Sequence, residues 1–109
     1  MAGQPQVILR PAARRDLLES FDYLSREAGV PTAERFLVAV ESAANLLAGR
    51  PRLGAPCGFS GRISSRFRRL PVPGFENRII FYLPRRNGAD ILRVLHGARD
   101  LAAILDSNR

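Results

Sequence analysis

The chain has 109 residues, of which 46 % are apolar and 25 % are charged, and these are the values of one folded domain. A second catalytic domain, a disordered chain and a fibrous repeat are therefore excluded. No apolar run approaches the ~20 residues of a membrane helix, and the first residues lack the pattern of a secretory signal, so we expect a cytoplasmic protein without membrane contact. The formal net charge of +7 at pH 7 favours an anionic partner.

The N-terminal half predicts one strand and two helices. A short apolar run at residues 7–9 predicts the strand, and Pro11 suits the first turn of the helix that follows. Apolar residues then recur at helical spacing until Gly29 ends this helix. A second amphipathic helix opens at Pro31 and is closed by Gly49. Because only a few residues separate the helices, we expect an antiparallel helical hairpin.

The C-terminal half predicts three strands. Residues 49–61 are rich in glycine and proline, which is typical of a loop. Strand-like segments follow at about residues 66–72, 78–83 and 91–96. The turn before the last strand contains Asn87-Gly88, a strong hairpin signal because both residues tolerate a positive φ. The result is a three-stranded antiparallel meander.

Together these elements predict an α+β fold in the order β-α-α-β-β-β. The helical hairpin would cover one face of a mainly antiparallel four-stranded sheet, which the first strand joins. Asp100 can cap a short helical turn over Leu101–Leu105. A single domain would span residues 1–109, with fraying expected in residues 1–6 and 106–109.

The positive charge is concentrated in the second half of the chain. Residues 62–99 carry nine arginines against two acidic residues, whereas residues 1–61 carry seven against six. Every basic residue is an arginine, whose planar guanidinium group suits carboxylates and phosphates. The uneven charge predicts a surface for nucleic acid, an acidic protein segment or another anionic surface, and does not choose among them.

Two sets of arginines are candidates for this surface. The first set spans eight residues without an acid and comprises Arg62, Arg66, Arg68 and Arg69. It is either a docking strip for an acidic segment or a phosphate backbone, or the solvated charge of an edge strand. Strand alternation would place Arg66 and Arg68 on one face and Arg69 on the other.

The second set lies in or just after the later strands and comprises Arg78, Arg93 and Arg99. If the helices cover one face of the sheet, these arginines would project from the opposite face. There they would form an anion-binding surface continuous with the first set, or would serve only as solubilising charge.

Residues suited to catalysis are few. Histidine is the residue type whose ordinary pKa suits acid–base chemistry near neutrality, and the chain has one, His96, at a strand end where a structural role is more common. The single cysteine, Cys57, excludes an internal disulfide, and one Cys with one His cannot form a four-ligand zinc site. We therefore expect no metal and no cofactor. Tyr23 and Tyr82 lie in apolar patterns typical of core or sheet-face residues.

Five segments of the chain match a known pattern in order. They are 11–17 (PAARRDL), 33–36 (AERF), 46–54 (LLAGRPRLG), 78–82 (RIIFY) and 93–100 (RVLHGARD). Over about residues 7–105 the chain resembles the RelE/ParE superfamily of toxins from bacterial type II toxin–antitoxin modules, and most closely its ParE branch. The resemblance implies a small basic toxin that a cognate antitoxin neutralises by wrapping around it.

The resemblance leaves two activities open. ParE-type members inhibit DNA gyrase, whereas RelE-type members are endonucleases that cut mRNA on the ribosome with lysines, arginines and often a C-terminal tyrosine. This chain has no lysine. Alignment with the nuclease pattern through Arg78 and Arg99 places Leu105 at the tyrosine position, so acid–base catalysis would fall to His96.

We therefore expect a gyrase inhibitor that acts by binding and has no catalytic residues. The alternative is a ribosome-dependent mRNA endonuclease that uses Arg78, His96 and Arg99. Exposed apolar residues such as Leu18 and Val38 could seat an antitoxin helix in the hairpin groove, while an acidic stretch pairs with Arg68, Arg69 or Arg93. The candidate antitoxin- or target-binding residues are Arg66, Arg68, Arg69, Arg78, Arg93 and Arg99.

Overall fold

The computed structural model describes residues 4–97 and contains two helices and a five-stranded sheet. The helices are α1 (Pro11–Ala28) and α2 (Val30–Gly49). The strands are β1 (Gln6–Leu9), β2 (Ala55–Pro56), β3 (Arg68–Val72), β4 (Phe75–Arg85) and β5 (Gly88–His96). A turn of 3-10 helix at Ser64–Arg66 precedes β3. The predicted helical turn at Leu101–Leu105 lies outside the described residues.

The sheet has the order β1-β5-β4-β3-β2, with β1 parallel to β5 and every other pair antiparallel. The predicted α+β class and helical hairpin are confirmed. The predicted four-stranded sheet and β-α-α-β-β-β order are wrong in detail, because β2 adds a fifth strand inside the predicted loop. Only Ala55 and Pro56 form β2, and a two-residue strand is too short to show an alternating pattern.

The sheet is buried on both faces. The face under the helices packs against α2 through residues such as Phe36 and Val40, with Tyr82 of β4 in the same cluster. Phe81, the neighbour of Tyr82, belongs to a second cluster with Phe67, to which the partly buried Phe59 adds. Adjacent strand residues point to opposite faces, so this second cluster lies on the face away from the helices. The continuous apolar run in β4 follows from this double burial.

The two helices lie on one face of the sheet. One residue, Gly29, separates α1 from α2, so the two helices form the antiparallel hairpin that was predicted.

A bulge at Leu92 shifts the register of β4 and β5, because Tyr82 pairs with Ile91 and Phe81 pairs with Arg93. Within residues 4–97, neither helix is long and apolar enough to cross a membrane.

Gly88 begins β5 at the point where β5 pairs with β1. A substitution of Gly88 therefore tests how closely the two strands approach each other. The φ of Gly88 is +140°, and a Cβ there would collide with the backbone carbonyl oxygen of Gln6. Gly74, in the β3–β4 turn, also has a positive φ of +82°, but a Cβ there would meet no atom within 4 Å. We expect Gly88→Ala to lower the free energy of unfolding by at least ~3 kcal/mol and Gly74→Ala by ~1 kcal/mol in urea denaturation. Equal losses would contradict the close approach of β1 to Gly88.

Candidate functional site

Arg93 forms an ion pair with Asp16 of α1. Its Nε donates to Asp16 Oδ2 at 2.8 Å and its Nη2 donates to Oδ1 at 2.9 Å. The backbone N–H of Val94 donates to the same Oδ2 at 2.9 Å. The Asp16 carboxylate, in a residue that is only 6 % exposed, therefore accepts three hydrogen bonds from β5. The register partner of Arg93 is Phe81, on the face away from the helices, but the guanidinium reaches α1, so the prediction that this charge projects from the opposite face is wrong.

The position of Asp16 explains this arrangement. Pairing of β1 with β5 ends at Ile91, so β5 continues beyond the reach of its parallel neighbour. The Asp16 side chain meets β5 there and accepts the Val94 N–H, which would otherwise be a buried donor without a strand partner. Arg93 therefore has a structural role, which is to neutralise the carboxylate that attaches α1 to the sheet.

Arg78 also contacts α1. Its Nε donates to Ser20 Oγ at 3.2 Å, and its guanidinium carbon lies 5.5 Å from the centroid of the Tyr23 ring, a cation–π contact. The prediction that Arg78 faces away from the helices is therefore also wrong. Tyr23 is half-exposed, whereas Tyr82 is fully buried as predicted. Arg78 pairs in register with His96, so these two nuclease candidates lie side by side, while Arg99 lies outside the described residues.

The first set of arginines does not form one strip. Arg68 and Arg69 lie on opposite faces, as predicted, because their register partners Tyr82 and Phe81 belong to the two different core clusters. Alternation does not extend to Arg66, which ends the 3-10 turn. Arg66 and Arg69 are exposed, while Arg68 donates to the backbone carbonyls of Arg52 and Gly54.

Beside β2 and the β4–β5 turn lies a groove of about 780 Å³, here called the arginine groove. Three separate segments supply its charge: the loop after α2, the turn before β3, and the β4–β5 hairpin. Among residues 4–97, no acidic residue lines it. Its arginines are Arg50, Arg52, Arg66, Arg68, Arg85 and Arg86.

Two of these six arginines, Arg66 and Arg68, belong to the first predicted set. The other four flank turns that lie more than thirty residues apart in the sequence. The order of strands in the sheet brings these arginines together, and no spacing in the sequence predicts this proximity. The only available signal was the pairing of arginines around each turn, at Arg50 with Arg52 and at Arg85 with Arg86.

One wall of the arginine groove is anchored to the core. The backbone N–H of Gly54 donates to the Tyr82 hydroxyl at 2.8 Å, and its carbonyl accepts from Arg68. A Cβ at Gly54 would lie 2.5 Å from the Arg69 carbonyl oxygen, so only glycine fits. Burial raises the pKa of Tyr82, opposed by the Gly54 hydrogen bond and the Arg68 charge. The hydroxyl therefore stays protonated at neutral pH.

Asp90 fixes a second part of the arginine groove, at the β4–β5 hairpin. Arg85 donates to Asp90 Oδ2 through Nε at 3.1 Å and Nη2 at 2.7 Å, and Arg10 donates to the same oxygen at 3.1 Å. Burial alone raises the pKa of Asp90, but the hydrogen bonds and charges of Arg85 and Arg10 outweigh it, so the pKa lies below its ordinary value. The ionised carboxylate holds Arg85 beside the groove.

Cys57 has no features of an activated nucleophile. Its side chain packs against the second core cluster. Burial raises the pKa of the thiol, and the nearby Arg69 opposes this only in part. The reactive thiolate is therefore scarce at neutral pH. Within residues 4–97, no group of three or more His, Cys, Asp or Glu side chains could hold a metal ion.

The helical layer presents apolar surface, as the sequence predicted. Leu18 is 68 % exposed and Val38 is 64 % exposed. Val38 lines a shallow depression beside the β3–β4 turn. On the other side of α2, a groove of about 440 Å³ runs along β1 and is here called the apolar groove. Its lining includes Val7, Leu9, Leu17, Leu37 and Val40.

Comparison with known proteins agrees with these features. Residues 7–101 match the family model described as the ParE toxin of a type II toxin–antitoxin system, parDE. Toxin ParE1 of Mycobacterium tuberculosis, from strains CDC 1551 / Oshkosh and ATCC 25618 / H37Rv, is 32 % identical over 95 residues, which are 86 % of this chain and 91 % of that toxin.

The fold also matches a solved structure. A chain of the chromosomal ParDE TA system from P. aeruginosa superposes with a TM-score of 0.68 at 15 % identity, covering 84 % of this chain and 95 % of that one. A basic α+β domain with a helical hairpin on its sheet thus matches a chain of a ParDE system in fold and a ParE toxin in sequence. The chain belongs to the ParE toxin family, and a toxin of such a system is paired with a cognate antitoxin.

Asp16→Asn tests the structural role of the Arg93 ion pair. The amide keeps an acceptor for the Val94 N–H but leaves the Arg93 guanidinium without its counter-charge, and we expect the free energy of unfolding to fall by about 2 to 4 kcal/mol. Asp22→Asn is the matched control, because Asp22 pairs with Arg26 on the exposed surface of the same helix. The control should lose less than ~0.5 kcal/mol. Similar losses in urea denaturation would contradict the assignment.

Proposed function

We propose that this toxin inhibits DNA gyrase by binding it, and that its cognate antitoxin blocks this binding. The match of residues 7–101 to the ParE toxin family carries the proposal, because ParE-type toxins of the superfamily that the sequence resembles inhibit gyrase. The uneven charge supports it, since an excess of exposed arginine accelerates encounter with an acidic protein surface or with DNA-bound gyrase.

The described contacts favour some of the predicted arginines over others as contacts of the target. Arg93 is committed to Asp16, and Arg78 is held by Ser20 and Tyr23. Arg66 and Arg69 are exposed and remain candidates for direct contact. Arg68 supports the loop at Gly54 and contributes its charge from that fixed position. Arg99 lies outside the described residues and keeps its place as a predicted contact.

The antitoxin is expected to dock on the helical hairpin, in the apolar groove beside β1. Leu37 and Leu17 line this groove, and the buried Val40 forms part of its floor, so an apolar side chain entering it would reach the core. In the sheet of residues 4–97, β1 is an edge strand. Its unpaired edge offers backbone hydrogen bonds to an extended segment, in addition to the apolar contacts.

The second candidate function is ribosome-dependent cleavage of mRNA. One observation favours it: Arg78 and His96 are register partners at the end of the β4–β5 pair. An imidazole can transfer a proton to or from an attacking hydroxyl, and a guanidinium can stabilise the charge that develops on phosphate. Such a mechanism would need both side chains.

Gyrase assays with purified full-length toxin separate the two functions. We expect a stoichiometric amount to inhibit supercoiling or trap the gyrase–DNA cleavage complex, and equimolar antitoxin to prevent both effects. Ribosome-bound mRNA should remain intact in the same preparation. Absence of any effect on gyrase at stoichiometric excess, in a preparation that arrests growth when expressed, would contradict the proposal. Cleavage of mRNA that is lost in both Arg78→Ala and His96→Ala would establish the alternative.

The antitoxin surface is tested by two neighbouring residues on α2. Leu37 lines the apolar groove, while Val38 lines the depression on the other side of the helix. Leu37→Glu should weaken binding of the antitoxin at least ~10-fold, because it places a charge against an apolar interface. Val38→Glu should change the affinity less than ~3-fold, measured by calorimetry. The reverse order would place the antitoxin on the depression.

A further inference from the structure

Of the six arginines in the arginine groove, only Arg66 and Arg68 have a proposed role above, and the groove as a whole has none. We propose that it binds the phosphodiester backbone of a nucleic acid without reading the base sequence. This inference goes beyond the proposed function, because it concerns a ligand of the toxin itself and does not depend on which macromolecule the toxin inhibits.

The charge of the groove is both concentrated and available. In the part of the chain that the structure describes, six arginines and no acidic residue line it. Among these, Arg50, Arg52, Arg66 and Arg86 are exposed, and no acid pairs with them in the described contacts. Guanidinium groups gathered in one concave site focus a positive potential that attracts polyanions. A nucleic-acid strand offers a charge at every nucleotide and can neutralise several arginines at once.

Two of the arginines are already positioned. Arg85 is held by Asp90, and Arg68 is held by the carbonyls of Arg52 and Gly54. Side chains fixed before binding lose less conformational entropy when the ligand arrives. Arginine can also donate two parallel hydrogen bonds to one phosphate. The groove therefore combines two arginines that the fold holds in place with four exposed arginines.

The lining favours a phosphate backbone over an acidic peptide. A peptide that orders on binding needs apolar anchors, and Leu53 is the only exposed large hydrophobic residue in the described lining. The other exposed leucines, such as Leu18 and Leu46, lie on the helices. The described lining contains no Asn or Gln to read adenine, and Phe67 is fully buried and cannot stack on a base. Arginine can also donate to guanine edges, but a groove whose other lining residues read no base draws its affinity from phosphates, and this predicts similar binding of unrelated sequences.

The test uses the full-length protein and fluorescein-labelled DNA, as a 12-nucleotide single strand and as a 12-base-pair duplex of unrelated sequences. Binding is followed by fluorescence anisotropy over a series of salt concentrations. The groove variant is Arg52→Ala/Arg66→Ala/Arg86→Ala, which leaves the structural residues Arg68 and Arg85 in place. The control variant is Arg14→Ala/Arg15→Ala/Arg35→Ala, which removes the same charge from exposed positions on the helices.

We expect the wild type to bind with an affinity that falls steeply with salt. The groove variant should bind at least ~10-fold more weakly, with a slope of log K against log salt shallower by about 2 to 3, since each lost phosphate contact removes about 0.7 to 0.9. The control variant should stay within about twofold of the wild type. Circular dichroism and thermal unfolding check that both variants are folded.

Three outcomes would overturn the inference. The first is that the wild type fails to bind DNA at about 0.1 M salt. The second is that the control variant loses as much affinity as the groove variant, which would indicate a general effect of net charge. In the third, a glutamate-rich peptide of equal charge binds as tightly as DNA, which would indicate a site for an acidic protein segment. If the toxin has no effect on gyrase but still binds DNA through the arginine groove, the proposed target is wrong and this inference holds.

Discussion

One buried carboxylate connects the two layers of this protein. Asp16 lies on α1, yet all three of its described hydrogen-bond donors belong to Arg93 and Val94 of β5. A buried charge is costly unless it is paired and fully hydrogen-bonded, and the bidentate guanidinium together with the backbone N–H meets that requirement. The same carboxylate accepts a backbone hydrogen bond from β5 beyond the point where the pairing with β1 ends. Because Gly29 alone separates the helices, the anchor on α1 also constrains α2.

This constraint divides the arginines into two groups. Arg93, Arg78, Arg68 and Arg85 each hold a part of the fold through a described contact. The exposed arginines around the arginine groove, with Arg69, carry the charge that solvent and partners meet. The formal charge of +7 therefore overstates the charge that is available for binding, since part of it is used within the fold. The available charge is concentrated around the arginine groove. The apolar surface suited to an antitoxin lies elsewhere, along α2 and β1.

The sequence predicted much of the fold and little of the site. Helical periodicity and the positions of Pro11 and Gly29 located both helices, and the Asn-Gly turn located the β4–β5 hairpin. The strand β2 was not predicted because it has only two residues. The parallel pairing of β1 with β5 was not predicted because it depends on tertiary contacts. Asp16 and Arg93 are 77 positions apart, so no local pattern could pair them. The arginine groove was missed for the same reason, since the sheet order assembles it.

A double-mutant cycle on Asp16 and Arg93 tests the central contact most directly. The free energies of unfolding of the wild type, Asp16→Asn, Arg93→Gln and the double variant give the coupling between the two side chains without the separate cost of each substitution. The contact described here predicts a coupling of about 2 kcal/mol or more, with Arg93→Gln and the double variant still folded under native conditions. Losses that add within ~0.5 kcal/mol would show that α1 is held to the sheet by other contacts, and would return Arg93 to the group of arginines available for binding.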